Sequence, residues 1–216
     1  MNNINWIFFD IGSTLVDESV AYQNRIEKTI AGSQISYEEF VDRLIESYRV
    51  NTQGDTEIVA DFKNICASFS LPPAIWDSND ETVYPEAEEV LRELSKRYHI
   101  GVIANQKLGS EKRLENIGLL RYIDLVIASA EEGVSKPALR IFQIALDRAD
   151  CKPDEAVMVG DRLDNDIIPA NKIGMTTVWI KQGFGKYAVP SSMEEFPDFT
   201  VYSLKELINI FEIKSE

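Results

Sequence analysis

Histidine occurs once and cysteine twice in these 216 residues, and basic side chains are outnumbered, 22 Lys and Arg against 36 Asp and Glu. The single histidine, His99, precedes an apolar stretch with no Ser or Cys nucleophile signature beside it, so a place at the surface or a strand edge is expected rather than catalysis. Cys66 and Cys151 stand far apart without metal-ligand spacing and read as reduced packing residues, not as a disulfide or a metal site. A net charge of -14 opposes binding to nucleic acid or anionic membranes, because the long-range field repels both. Long apolar runs are missing too. The opening residues Met1-Asn2-Asn3-Ile4-Asn5 lack a basic region, and the apolar run that follows is broken at Asp10. Neither a signal peptide nor a membrane-spanning helix is expected, and a cytoplasmic location follows as the expectation.

What is present begins with that break. Asp10 comes straight after Trp6-Ile7-Phe8-Phe9 and is followed by Gly12, Thr14 and Leu15. A carboxylate at the end of a buried strand needs a partner, since leaving it unpaired would cost several kcal/mol. The same arrangement recurs where Val157-Met158-Val159 runs into Gly160-Asp161, with Asp164, Asn165 and Asp166 close behind. Between the two lies a lysine in a turn, Val134-Ser135-Lys136-Pro137. Two strand-end aspartates and a lysine are the parts needed to hold a divalent metal beside a phosphoryl group. In so acidic a chain an anionic substrate would need such local positive charge, supplemented by helix N-termini.

With 44% apolar and 27% charged residues the composition is that of a globular protein, long enough for one core domain and a modest insertion. Residues 17–79 read as helical. Ser36-Tyr37-Glu38-Glu39 is a capping box, and Phe40, Val41, Leu44, Ile45 and Tyr48 follow at helical spacing. A second stripe, Ile58, Phe62, Ile65, Cys66 and Phe69, ends at Leu71-Pro72-Pro73, and a helix around Tyr22, Ile26 and Ile30 precedes both. From Tyr84-Pro85 onward the pattern alternates. Strands are predicted at 100–104, 125–128, 156–159, 176–180 and 199–201, with amphipathic helices between them, two closed by Gly118 and Gly174. Continuous apolar strands alternating with helices predict an α/β fold, a Rossmann-like parallel sheet covered on both faces. Ligands bind such sheets beyond the carboxyl ends of the strands, where Asp10, Asn105, Ser129 and Asp161 all fall. The glycine-rich stretch Gly183-Phe184-Gly185-Lys186 is read as a flexible loop rather than a nucleotide cradle, for want of a helix after it.

In this order and spacing the motifs resemble those of the haloacid dehalogenase-like hydrolase superfamily. Residues 8–15 resemble its first motif, D-x-D-x-T-L; Ile103-Ala104-Asn105 its second; Lys136 its third; and Gly160-Asp161 through Asp166 its fourth. Each motif is weak alone and the ordered set, spanning nearly the whole chain, is specific. The resemblance implies a core of residues 1–16 and 80–216, with residues 17–79 as an inserted C1-type helical cap placed to act as a lid. It implies Asp10 as the nucleophile that forms an aspartyl-phosphate. It implies Mg²⁺ held by Asp10, Asp161 and the backbone carbonyl of Gly12, and a phosphoryl group bound by Ala104, Asn105 and Lys136. Asp166 would support the metal site and orient Lys136, and Asp164 is read as a solvated turn residue.

Two residues depart from the pattern. Gly12 stands where family phosphatases carry a second Asp that protonates the leaving oxygen, a loss worth about 10²–10⁴ in rate. Ala104 replaces a hydroxyl donor, worth roughly 10²–10³. The expected activity is Mg²⁺-dependent hydrolysis of a small phosphorylated metabolite, slowed by the missing acid. A phosphate-binding or regulatory protein with little turnover is the alternative. Metal-independent carbon–halogen hydrolysis is a third reading, opposed by Asp161, whose carboxylate would repel a carboxylate substrate.

Overall fold

The computed structural model describes residues 3–50 and 62–211. Six strands form one sheet: β1 (Trp6–Phe9), β4 (His99–Ala104), β5 (Leu125–Ala128), β6 (Ala156–Gly160), β7 (Thr176–Ile180) and β8 (Phe199–Val201). Their order across the sheet is β5-β4-β1-β6-β7-β8, and every neighbouring pair is parallel. All five alternating strands predicted after residue 99 are present.

Period-two alternation sends successive side chains of each strand to opposite faces. Ile7, Phe9, Val102, Val157, Val159 and Val178 form one apolar layer, which helices α4 (Ala87–Leu94), α5 (Ser110–Asn116) and α9 (Glu206–Ile210) and their flanks cover through Leu91, Leu114 and Leu207. Phe8, Ile103, Ile127 and Met158 form the other layer, packed under α7 (Leu139–Ala149) and α8 (Ile168–Ile173) through Phe142, Ala145 and Ala170. Gly101 on β4 is required by this packing: a Cβ there would stand 2.4 Å from the ring of Phe8 on the neighbouring strand. The short α6 (Ser129–Glu132) follows β5 directly.

Between β1 and β4 the chain makes a two-stranded antiparallel pair, β2 (Val16–Asp17) with β3 (Thr82–Val83), at the entry to and exit from a helical block. That block contains α1 (Ser19–Ile30), α2 (Tyr37–Val50) and α3 (Phe62–Ser68). Ser36 Oγ accepts from the Glu39 N–H at 3.1 Å, as the capping sequence predicts. The helices enclose a separate apolar cluster of Ile26, Phe40, Leu44, Tyr48, Phe62, Ile65 and Cys66. Ile58, predicted to begin the second stripe, lies outside the described residues.

The loop after β7 differs from expectation. Gly185 is buried and begins a 3-10 turn, Gly185–Tyr187, and Phe184 packs against the cluster of the helical block. A Cβ on Gly185 would come within 2.2 Å of the Asp161 carbonyl oxygen, so the glycine permits a close backbone approach rather than flexibility. His99 is exposed, stacked on Trp6 and beside Asp124, and neither Cys66 nor Cys151 is in a disulfide. Among the described residues, no helix is long and apolar enough to cross a membrane.

Candidate active site

Asp10, Asn105 and Asp161 each immediately follow a strand, β1, β4 and β6, at the carboxyl edge of the sheet. Parallel pairing brings β1 between β4 and β6, so residues distant in sequence meet there. The Asp10 N–H donates to the Val159 carbonyl at 2.9 Å, which ties the end of β1 to β6. Lys136 arrives from the segment between α6 and α7. Its Nζ donates to Asp10 Oδ1 at 2.8 Å and to Asp166 Oδ1 at 2.6 Å. The lysine is buried, 4% exposed, so this is a desolvated charge held by two carboxylates. Burial alone would lower its pKa; the two carboxylates outweigh that and raise it.

Asp166 sits in a π-turn, Leu163–Ile167, that precedes α8. There its second oxygen, Oδ2, accepts from the Arg162 N–H at 3.0 Å. Such turns add a residue to the helical repeat, and within this one Asp166 is fully buried and paired with Lys136. Carboxylate oxygens of Asp10, Asp161 and Asp166 all lie within 4.8 Å of one another. Burial, then repulsion from Asp166 and Asp10, raises the Asp161 carboxyl well above the ordinary range. Burial pushes Asp166 up to about 6, in spite of Lys136. Three buried or half-buried carboxylates cluster here and Lys136 pairs with only two of them, an arrangement that suits a hard, oxygen-seeking cation.

These side chains line a cavity of about 160 Å³ together with Gly12, Ser13, Glu18, Tyr22, Tyr48, Gln106 and Arg162. A larger cavity of about 580 Å³ lies alongside and shares Ser13 and Tyr22 with it, but its walls do not include Asp10. Only the smaller one contains the nucleophile candidate.

Three expectations change. Ala104 is completely buried in an apolar layer of the core and does not line the cavity, because its strand position points it inward. Asn105 does line it, yet its side-chain amide is engaged with main chain: Nδ2 donates to the Lys136 carbonyl at 2.9 Å, and Oδ1 accepts from the Lys136 N–H at 2.8 Å. Asp164 is not a solvated turn residue. It is half-buried and accepts from Arg162 Nε at 2.9 Å, while the guanidinium lies 5.2 Å from the ring centre of Tyr48 in the helical block.

The sequence pattern does not single out Arg162 or Glu18. Arg162 follows Asp161 directly, and that adjacency is its one sequence signal. Glu18 carried none, since its side chain reaches the cavity only through the turn made by Gly12 and Ser13. The Ser13 hydroxyl donates to Glu18 Oε2 at 2.9 Å, and burial, with Asp10 and Glu81 adding repulsion, pushes the Glu18 carboxyl up to about 7.

The family model described as haloacid dehalogenase-like hydrolase matches residues 7–180. A glyceraldehyde 3-phosphate phosphatase of Pyrococcus furiosus is 32% identical over 98% of this chain and 95% of its own length. A ribulose-1,5-bisphosphate 5-phosphatase of Halopiger xanaduensis is 34% identical over 66% of this chain and 63% of its own. A HAD phosphatase from Thermococcus onnurineus has the same fold, with a TM-score of 0.63 at 24% identity over 98% of this chain and 99% of that one. The chain belongs to the haloacid dehalogenase-like hydrolases.

Proposed function

We propose that this hydrolase is a phosphatase that cleaves a small phosphorylated metabolite through a covalent phosphate ester of Asp10, with Mg²⁺ as its cofactor. The observation that carries the reading is the Lys136–Asp10 contact in a cavity shared with Asp161 and Asp166. The similar proteins from Pyrococcus and Halopiger, named for their action on a triose phosphate and a pentose bisphosphate, support a sugar-phosphate-sized substrate. A cavity of about 160 Å³ fits that scale, being smaller than the roughly 300–1,000 Å³ of sites for drug-sized ligands.

Asp10 supplies a carboxylate oxygen to attack phosphorus, and Lys136 holds the carboxylate in place while offering positive charge to the phosphoryl oxygens. Asp166 orients Lys136 through its own ion pair, and the Arg162 N–H fixes Asp166 in turn. Asn105 clamps the main chain on which Lys136 is carried. Mg²⁺, held by Asp10, Asp161 and the Gly12 carbonyl, would neutralise the clustered carboxylates and the charge developing on the phosphoryl oxygens. The carboxylate cluster argues against carbon–halogen hydrolysis of a carboxylate substrate, which it would repel.

Residues 17–79 are assigned as the lid over this site, and residues 1–16 and 80–216 as the core. Tyr22 and Tyr48 from the helical block line the cavity, and the β2–β3 pair marks the place where the chain crosses between the two.

Hydrolysis of 4-nitrophenyl phosphate tests the reading. Activity should be lost on chelation and return with Mg²⁺, and Asp10→Asn should remove it without altering the circular dichroism spectrum. Equal rates for that variant and the parent would end the assignment of Asp10.

A further inference from the structure

Gly12 leaves a place for a side chain at the mouth of the cavity, and another residue occupies it. A Cβ built on Gly12 would stand 2.6 Å from Glu18 Oε1 and 2.9 Å from its Oε2 and Cδ. The carboxyl of Glu18 thus lies where the side chain of residue 12 would project, in the same cavity as Asp10. Two features hold it there. Glu18 is the residue before α1, where its carbonyl accepts from the Tyr22 N–H at 2.9 Å, and the Ser13 hydroxyl donates to its Oε2. Ser13 has a φ of 53°, a left-handed conformation that non-glycine residues rarely adopt. The turn that turns Ser13 toward Glu18 is therefore not an ordinary one.

We propose that Glu18 is the acid and base of the reaction, supplying from the start of α1 the carboxyl that Gly12 cannot. The assignment rests on the phosphatase reading above. In the first step an Asp10 oxygen bonds to phosphorus while the bond from phosphorus to the ester oxygen breaks. The electron pair stays on that oxygen, which takes the proton of Glu18 and leaves as an alcohol. In the second, a water oxygen bonds to phosphorus and gives a proton to the Glu18 carboxylate. The bond to Asp10 breaks with its pair returning to the carboxylate, and inorganic phosphate leaves. Glu18 ends as it began, protonated.

Position and chemistry both favour this residue over the other acids of the cavity. Asp10 and Asp166 are each bonded to Lys136, and Asp161 stands among them with its oxygens in the same cluster. Glu18 approaches from the other side of Gly12, on the segment that leads into the helical block. A proton donor there also removes the handicap that the absent Asp implied. Alkyl phosphates, whose leaving oxygens need a proton, become substrates of the unmodified protein.

The test is a comparison of leaving groups. Rates of the parent, Glu18→Gln, Gly12→Asp and the double variant Gly12→Asp/Glu18→Ala would be measured on aryl phosphates of graded leaving-group pKa and on glycerol 3-phosphate. The parent should show a shallow dependence. Glu18→Gln should lose about 10²-fold or more on glycerol 3-phosphate, within the usual range for general acid catalysis, and much less on 4-nitrophenyl phosphate. Gly12→Asp alone should be impaired, because its side chain meets Glu18; the double variant, with a carboxyl returned to the same place, should recover the shallow dependence. A uniform loss on all esters by Glu18→Gln, or an unchanged slope, would overturn the proposal. Phosphorylation of Asp10, read by mass spectrometry after acid quench, separates the two readings. Phosphoenzyme with an unchanged slope removes Glu18 alone, whereas a parent that forms no phosphoenzyme and turns nothing over removes the phosphatase reading and Glu18 with it.

Discussion

Asn105 grips the main chain of Lys136 from both sides, its amide donating to the carbonyl and its oxygen accepting from the N–H, at 2.9 and 2.8 Å across 31 residues of sequence. The pair sets the height of the lysine above the end of β4. It also explains why an Asn is useful at a strand end: a side chain with one donor and one acceptor can complete both bonds of an irregular segment.

Asn105→Ala should therefore act through Lys136. Two hydrogen bonds to a half-buried segment are lost, for an expected destabilisation of about 1–3 kcal/mol. Hydrolysis of 4-nitrophenyl phosphate should fall by more than the loss of folded protein accounts for, with kcat reduced as Lys136 leaves Asp10. Chemical denaturation and steady-state kinetics on the same preparation would check this, and a variant destabilised but fully active would show that the clamp does not position the lysine.

The acidic cluster predicts how the metal-free protein responds to pH. Burial raises Glu18 to about 7 and Asp166 to about 6, and raises Asp161 as well. A carboxyl whose pKa is higher folded than unfolded stabilises the fold fully below its unfolded value. That contribution is lost as pH rises through the folded value. With EDTA present, Tm should fall between pH 5.5 and 7.5, and the fall should be smaller in Glu18→Gln, which removes one of these groups. Mg²⁺ added at pH 7.5 should raise Tm, since a ligand bound to the folded state stabilises it by mass action. An identical pH profile for Glu18→Gln would show that Glu18 does not contribute.

Gly160, at the end of β6, is the position where a small change should do most local damage. A Cβ there would fall 2.3 Å from Asp166 Oδ2 and 2.5 Å from its Cβ, in a fully buried setting. Gly160→Ala must push Asp166 away from Lys136. The expected cost is about 1–3 kcal/mol for overpacking, together with a marked loss of activity. Thermal unfolding and turnover would be measured together, and retention of both would show that the π-turn yields without disturbing the ion pair.

Much of the core was readable in the linear pattern because its causes are local and repetitive. Short apolar runs such as Trp6–Phe9 and Leu125–Ala128, alternating with amphipathic stretches, point to strands covered on both faces, and glycines such as Gly118 and Gly174 end helices through left-handed backbone. Asp10, Lys136 and Asp161, which the fold brings to one cavity, stand out for the same reason, each being a charge set against an apolar run or in a turn. Asp164 and the Gly183–Gly185 stretch depart from expectation because polarity and glycine content predict exposure only when nothing packs on them. Here Arg162 and the Asp161 main chain do.

The linear pattern is enough to mark the strands of the sheet, to point to its carboxyl edge as the candidate site, and to reveal that residue 12 carries no acid. Only the folded chain shows that the Glu18 carboxyl lies beside Gly12. Glu18 lies six residues on, beyond a turn whose direction depends on the left-handed backbone of Ser13, and no periodicity records where such a turn aims a side chain. The same holds for Asn105 on Lys136 and for Arg162 beneath Tyr48, contacts between segments 31 and more than 100 residues apart. Local propensity acts over a few residues. The side chains that surround Asp10 come together only when the parallel sheet and the helical block have both formed.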